Sequence, residues 1–353
     1  MNTIISTVGT SLLGKARNYY GKSEVSVLDV TNFLRLVNND TEASAETNSL
    51  QRILHRLQNG ESKLVFLHSQ TDEGRLCAEV LQSYYSGRGF EVECREIQYL
   101  NYRESHFKFR GLRSLVNELV NLISSEREKG NTVYINATGG FKAEIAYATL
   151  VGILFDVRVY YIHEAFQDII EMPPVPLDWD YSQLVEHEEA LKWFSEDLRP
   201  KKEAESVIKT LPQEIRLLLL EEEGYVFLSP AGEAFFKAYL ERLQQADTVP
   251  LLLSTSAWKA YQDFPIDVRR AFERYLRKLK VPVIRLKGSD LTRVPLGCRV
   301  FPRGHCDERI IFCEDQQGKI RVCALLRHSD RSYERYLKRK ITCPDEQEFK
   351  VLW

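Results

Sequence analysis

Residues 132–142 read Thr132-Val133-Tyr134-Ile135-Asn136-Ala137-Thr138-Gly139-Gly140-Phe141-Lys142, and this stretch decides the fold of the N-terminal half. A short β-branched and aromatic run (132–135) meets a Thr-Gly-Gly turn. An apolar, helix-forming run (141–155) follows, so the segment reads strand, turn, helix. Outward from it the same alternation repeats. Downstream, 157–162 is another strand. Upstream, 112–129 is an amphipathic helix with Leu115, Leu119 and Ile123 on one face. Residues 90–97 alternate as a strand, 73–85 form a helix, and 63–68 (KLVFLH) are a buried strand. Residues 50–57 belong to a helix, 25–28 suit a second strand, and 2–8 form a first strand ending in Gly9-Thr10-Ser11. Strands separated by helices imply a parallel, doubly wound sheet, an α/β Rossmann-like domain over residues 1–175.

Two glycine-bearing turns then lie at strand ends, Gly9-Thr10-Ser11 and Thr138-Gly139-Gly140. Ligands of an open α/β sheet sit beyond the carboxyl ends of its strands. Glycines admit an anion close to backbone N–H groups, and a following helix N-terminus adds partial positive charge. With the Thr10, Ser11 and Thr138 hydroxyls and the Lys142 ammonium, this describes a phosphate site. No GxGxxG or GxxxxGK[ST] pattern occurs, which disfavours dinucleotide coenzymes and P-loop nucleotides.

Residues 173–180 (PPVPLDWD) break the pattern. Helices over 186–194, 202–210 and 213–222, a small hairpin at 224–232 and a helix over 233–245 resemble a winged helix. Residues 181–248 therefore read as a winged-helix-like linker or dimerisation module. From 250 to 353 the order is an LLLS strand, a basic amphipathic helix (265–279), strands near 297–301, 309–314 and 320–326, and a closing helix over 330–340. That is a small α+β domain. The net charge of −2 hides a division. From Ala257 onward there are 22 Lys and Arg against 13 Asp and Glu, a balance near +9 that suits a polyanion such as RNA. The seven cysteines show no CxxC pair and read as free thiols, neither staples nor a zinc site. The sequence shows no basic leader followed by an apolar run and no apolar run near 18 residues. A cytoplasmic protein away from membranes is expected.

TVGTSL after the first strand, FLHSQTDEG after a middle one and NATGGFK after a later one resemble the CARF domains of CRISPR-associated proteins. The resemblance covers about residues 1–175. It implies a homodimer that binds a cyclic oligoadenylate, the messenger made when a type III CRISPR complex detects foreign RNA. Gly9, Thr10, Ser11, Asn136, Thr138, Gly139, Gly140 and Lys142 would line the pocket, with Gln70, Thr71 and Glu73 nearby. An even ring on a two-fold axis favours cyclic tetra-adenylate. Some CARF domains cut their ligand slowly, and Ser11 with Lys142 would serve such ring nuclease chemistry.

In the C-terminal domain Arg299, Arg303, Arg309, Arg327, His328, Arg331 and Tyr333 lie on or beside the short strands. Arginine stays protonated and suits the charge of a pentacoordinate phosphate, and no paired carboxylates or metal-type cluster stand beside it. VRRAFERYLRKL, CRVF, ERIIF and LLRHSDRSYERY follow the order of the RelE toxins over about residues 255–345. These toxins are ribonucleases that cut messenger RNA in the ribosomal A site. The resemblance implies metal-independent in-line attack by a 2′-hydroxyl. Tyr333 would stack or assist deprotonation, Arg309 and Arg327 would stabilise charge, Arg299 or Arg303 would complete the site, and His328 would be either the acid or merely a polar strand end. Phe301 holds the place where that family often has a second lysine. Together the halves resemble CRISPR-Cas-associated messenger RNA interferases, with no cofactor besides the activator and with ribosome and mRNA as partners. Two alternatives stay open: a non-catalytic, oligoadenylate-sensing nucleic-acid-binding regulator, and a HEPN ribonuclease. The latter's Arg-to-His spacing recurs at Arg158 to His163, in an apolar strand, and at Arg299 to His305, where Pro302 and Gly304 oppose the required helix.

Overall fold

The computed structural model describes all residues except 38–39, 59, 163–167, 175–179, 247–248, 291–297, 305, 316–317, 331–332, 335, 337–348 and 353. His163, His305, Arg331 and Cys343 thus lie outside the described residues. The chain packs as two units, one of residues 1–176 with 220–235, the other of 177–219 with 236–353. The expected middle module, 181–248, is shared between them.

The first unit is built on β1 (Asn2–Val8), β2 (Ser62–Ser69), β3 (Glu91–Ile97), β4 (Thr132–Asn136), β5 (Arg158–Tyr161) and β6 (Ile170–Met172). Between them run α1 (Ser11–Tyr20), α2 (Val27–Leu36), α3 (Asp40–Ala43), α4 (Ala45–Arg56), α5 (Asp72–Ser86), α6 (Gly111–Glu128) and α7 (Lys142–Leu154). The sheet order is β3-β2-β1-β4-β5-β6, and every pair is parallel except β5 with β6. Every residue of β2 is buried, which explains its unbroken apolar reading: helices cover both faces of the sheet. Leu12, Leu50, Leu81 and Phe66 meet in one core, and the stripe Leu115, Leu119, Ile123 of α6 is wholly enclosed.

One expected strand is a helix. Residues 25–28 enter α2, because Ser26 accepts from the Asp29 amide while Asp29 Oδ2 receives the Ser26 N–H at 2.9 Å, a capping box. Val30, Phe33 and Leu34 then face the core at helical spacing.

Beneath the sheet, Glu126 (1% exposed) accepts from Thr3 Oγ1 at 3.0 Å, Asn131 Nδ2 at 2.7 Å and Lys129 Nζ at 2.7 Å, with Lys63 Nζ at 3.3 Å. Burial alone would raise its pKa. The donors from Lys129, Asn131, Thr3 and Lys63 outweigh burial and hold the carboxyl down at about 2. The unit closes with the hairpin β8 (Leu219–Glu222) and β9 (Tyr225–Leu228), preceded in the chain by α8 (Glu188–Glu196), β7 (Arg199–Pro200), α9 (Lys201–Thr210) and α10 (Gln213–Arg216). Glu223 and Gly224, with φ of 52° and 80°, form its left-handed turn. Phe227 packs on Phe109 at 5.4 Å, and Arg113 pairs with the buried Glu233 at 3.1 Å.

The second unit continues through α11 (Pro230–Gln245), β10 (Leu251–Ser254), α12 (Thr255–Asp263), α13 (Ile266–Leu279), α14 (Pro282–Lys287), β11 (Cys298–Phe301), β12 (Glu308–Glu314), β13 (Ile320–Arg327) and β14 (Phe349–Val351). Its sheet runs β11-β12-β13-β10-β14, with β10 parallel to β13 and the other pairs antiparallel. The α13 helix buries Phe272, Leu276 and Leu279 and turns Arg270, Arg274 and Arg277 away from them. Of the expected closing helix, Tyr333, Glu334 and Tyr336 are helical. The cysteines depart from expectation. Cys298 and Cys313 face each other across β11 and β12 and are joined by a disulfide, and Cys323 is also disulfide-bonded. Two strands in register bring thiols together that are fifteen residues apart, a relation that spacing along the chain does not display.

Replacing Glu126 by Gln is expected to lower stability at pH 7 by about 2 kcal/mol, the worth of hydrogen bonds to a charged group. The parent's advantage exists above pH 4.5 and disappears as pH falls toward 2. Denaturant melts of parent and variant across that range measure it.

Candidate functional site

The three turns expected to bind a ligand follow adjacent strands. β1 lies between β2 and β4, with Val8 beside His68 and Ser6 beside Asn136, so all three strands end together. Gly9 and Thr10 join β1 to α1. Residues 137–141 join β4 to α7, and Gln70 and Thr71 join β2 to α5. The first two turns touch. Thr7 Oγ1 donates to the Gly139 carbonyl at 2.6 Å, and a Cβ on Gly9 would stand 2.7 Å from the Gly140 nitrogen. Only glycine fits there.

The sequence-derived residues sort into floor and mouth. Asn136 is wholly enclosed, and its amide donates to Ser49 Oγ at 2.9 Å and Ser6 Oγ at 3.2 Å. Thr138 Oγ1 donates to Asn136 Oδ1 at 2.8 Å and accepts from the Ile162 amide at 3.2 Å. Thr71 is the buried N-cap of α5 and accepts from Gly74 N at 3.1 Å. Gln70 Oε1 accepts from Tyr99 N at 2.9 Å, and Glu73 pairs with Arg103 at 2.8 Å. These residues shape the turns. At the mouth, Thr10 and Lys142 are exposed at the N-termini of α1 and α7, and Thr10 makes no side-chain cap bond. Ser11 and Gly140 are half-buried between floor and mouth.

Sequence reasoning missed two carboxylates and an aromatic group. Glu46, at the start of α4, is 0% exposed. Its Oε1 accepts from Gly9 N at 2.8 Å and its Oε2 from Ser11 Oγ at 3.2 Å, while the Ala45 amide donates to Ser11 Oγ at 3.0 Å. A Cβ on Gly139 would fall 2.1 Å from Glu46 Oε1. Burial raises the Glu46 pKa against these donors. Glu144, in the first turn of α7, is pushed up to about 7 by burial, despite a hydrogen bond from the Phe141 amide. The sequence signals only their place in a helix: Ser44 and Thr47 form a capping box around Glu46, and Glu144 is the third residue of α7. Phe141, beside Gly140, is 45% exposed and packs against Tyr102 at 4.6 Å, tilted by 39°, with Phe107 edge-on at 6.0 Å. Exposed aromatic rings are surfaces on which bases can stack.

In the second unit, sheet register divides the arginine group. Arg299 pairs with Phe312, on the face opposite the one that carries Cys298, Val300 and Ile311. Arg309 is buried. Its guanidinium donates to the carbonyls of Gly304 (2.9 Å) and Glu308 (2.8 Å) and lies 5.8 Å from the Tyr333 ring. Arg327 Nε donates to Asp307 Oδ2 at 2.8 Å, and Asp307 also accepts from Ser329 N and Oγ. Burial would raise the Asp307 pKa, but Ser329 and Arg327 keep it low. The exposed His328 packs its ring 5.8 Å from Tyr333. Thus Arg309, Arg327, His328 and Tyr333 gather about the loop 303–308. Arg303 is set apart, lining a polar cavity of ≈ 390 Å³ with Glu186, His187 and Lys287. The arginines do not all converge on one face.

Residues 41–175 match the family model described as CRISPR-associated protein (Cas_APE2256). Among solved structures, Can2 from Sulfobacillus thermosulfidooxidans in complex with cyclic tetra-adenylate is similar at 11% identity and TM-score 0.27, over 70% of this chain and 67% of that one. Csm6 from Enterococcus italicus, bound to cyclic hexa-2′-fluoro-hexa-dAMP, is 12% identical at TM-score 0.29, over 79% of this chain and 60% of its own. Protein VC1899 from Vibrio cholerae is 8% identical at TM-score 0.26, over 92% and 76%. Among the described residues no helix is long and apolar enough to cross a membrane.

One glutamate carboxyl is expected to titrate near pH 7 in carbon-13 NMR of the folded protein, and to vanish in Glu144→Gln. Because the folded state favours its protonated form, parent stability falls as pH rises from 4.5 through about 7. A spectrum with no such titration removes the electrostatic description of the turn.

Proposed function

We propose that the first unit is a CARF sensor for a cyclic oligoadenylate, cyclic tetra-adenylate first, bound across a homodimer. On this reading it switches on a ribonuclease in residues 250–353, as an effector of type III CRISPR defence. The observation that carries the sensor is the contact of Gly9 with Gly140 at adjacent strand ends, with Thr10 and Lys142 exposed beside it. Backbone amides and helix N-termini suit phosphates, and Phe141 with Tyr102 suits adenine. The match to a CRISPR-associated family over 41–175 supports the same reading.

The proposed effector is a RelE-like endoribonuclease that cleaves messenger RNA in the ribosomal A site without a metal. Tyr333 would meet the scissile nucleotide, and Arg309 and Arg327 would stabilise charge on the phosphate. Arg299 or Arg303 would complete the site, and His328 would protonate the leaving oxygen. The 2′-hydroxyl would attack the phosphorus as its proton passes to solvent with the help of Tyr333, the bond to the 5′-oxygen would break as His328 protonates it, and a 2′,3′-cyclic phosphate and a 5′-hydroxyl would form. In the sensor, Ser11 and Lys142 would support a slow version of the same reaction on the ligand. The engagement of Arg309 by carbonyls and of Arg327 by Asp307 favours a second reading, a non-catalytic regulator whose basic unit binds RNA.

Phe141→Ala is expected to weaken cyclic tetra-adenylate binding by about tenfold, the loss of one stacked base, by calorimetry. Equal affinities would leave the aromatic group without a role. Arg327→Ala should abolish ligand-dependent cleavage of translated RNA in a reconstituted translation reaction while ligand affinity is retained. Unchanged cleavage removes the catalytic assignment. Parent protein that binds the ligand and RNA yet cuts nothing establishes the regulator.

A further inference from the structure

Arg303 stands apart from the other arginines, in the wall of the polar cavity of ≈ 390 Å³ in the second unit. Small-molecule sites span about 300–1,000 Å³, and this cavity is of their size. Three stretches build it: residues 180–187, the end of α14 at Lys287 and Gly288, and the β11–β12 connection at Arg303 and Gly304. The Arg303 amide donates to the Gly288 carbonyl at 2.6 Å, which ties two of these walls together. Gly304 has a φ of 135°, and a Cβ there would run into the Glu186 carboxylate. Only glycine lets Glu186 lie against the connection. Opposite charges therefore line one cavity, yet they do not neutralise each other. Neither the Glu186 carboxylate nor the Arg303 guanidinium has a hydrogen-bond or ion-pair partner among the described residues. Lys287 adds a second cation, and all three side chains are exposed, so a strand passing over the cavity can reach them. His187, the N-cap of α8, makes no side-chain cap bond, and burial holds its pKa below the ordinary value against the Glu186 charge. Its ring is thus neutral at pH 7. A simple anion would leave Glu186 unsatisfied, and a simple cation would do the same to Arg303. A fitting ligand presents an anionic group and N–H donors together.

We propose that this cavity binds one unpaired guanosine nucleotide of an RNA strand, with the phosphate on Arg303 and Lys287 and the guanine on Glu186. Guanine is the base whose Watson–Crick edge offers two adjacent donors, N1–H and the 2-amino group, and a carboxylate accepts both at once. Adenine and cytosine set their amino donor beside an acceptor nitrogen, which a carboxylate repels. Uracil has one N–H between two carbonyls. The neutral His187 ring and the Arg303 plane are surfaces on which a base can stack. A free amino acid also carries an anion and N–H donors, but the surplus of Lys and Arg from Ala257 onward favours a nucleic acid. The proposal rests on the reading that this unit acts on RNA, and it adds a sequence preference to that reading. Gly304 lines the cavity while its carbonyl accepts from Arg309 at 2.9 Å, so the guanosine flanks the nucleotide held at Arg309 and Arg327. Arg303 then serves this neighbouring nucleotide and not the scissile one.

The test uses the full chain with free nucleotides in calorimetry, so it needs no cleavage. 5′-GMP is expected to bind about tenfold more tightly than 5′-IMP, which lacks only the 2-amino group, the worth of one hydrogen bond to a charged group. Glu186→Gln should erase that difference. Arg303→Ala should weaken 5′-GMP and leave guanosine unchanged. If either variant misfolds, the comparison of 5′-GMP with 5′-IMP on the parent still decides. Equal affinities on the parent, or a difference that survives in folded Glu186→Gln, overturn the site. Tighter binding of glycine than of 5′-GMP overturns the choice of a nucleotide. Selective 5′-GMP binding by a parent that cuts no RNA supports the site and removes the ribonuclease reading. Cleavage of translated RNA with no bias toward a flanking guanosine overturns the site and keeps that reading.

Discussion

A carboxylate without access to water lies under the glycine turns of the first unit, and their geometry depends on it. Glu46 takes the Gly9 N–H with one oxygen and the Ser11 hydroxyl with the other. Gly139 approaches the first oxygen so closely that no side chain could stand between them. A buried anion must be protonated or surrounded by donors, and here the donors are groups that would otherwise meet a phosphate. Glu46 therefore closes the floor of the cradle from inside. The groups left facing outward are the exposed Thr10 and Lys142 at the N-terminal ends of α1 and α7. Burial raises the pKa of both carboxyls, that of Glu144 to about 7.

The parts of the fold that were legible in sequence are those where one physical demand dominates. β2 and β4 are buried on both faces, so their apolar runs are unbroken, and the turns that follow carry glycine because two backbones meet there. The stripe of α6 is helical at every step. The start of α2 reads as a strand because the short run Val25-Ser26-Val27-Leu28 fits either period. The deciding information was the Ser26–Asp29 capping box. Glu46 stayed hidden for another reason. A glutamate in a helix is ordinarily a solvated residue, and its burial follows only from the packing of α4 beneath β1 and β4.

Register, which no periodicity reveals, accounts for the remaining differences. In the second unit it brings Cys298, Cys313 and Cys323 together from positions scattered along the chain. It also separates Arg299 from Arg309, since residues on paired strands alternate between faces. A cluster counted along the sequence is thus smaller in space. Four of its members, Arg309, Arg327, His328 and Tyr333, share the surroundings of the loop 303–308.

The two units treat charge in opposite ways. At the glycine turns of the first, the carboxylates Glu46 and Glu144 are buried and the cation Lys142 is exposed. In the second, the cations are already engaged: Arg309 by three loop carbonyls and Arg327 by an aspartate held ionised by Ser329. A phosphate there has to replace Asp307 on Arg327, exchanging one charge-assisted pair for another, so the net gain is small while the loop keeps this conformation. The Gly304, Cys306 and Glu308 carbonyls hold Arg309 and the neighbouring Asp307 holds Arg327, so one short segment engages both guanidiniums. The arrangement makes this segment, more than any single arginine, the element that fixes where the two guanidiniums lie.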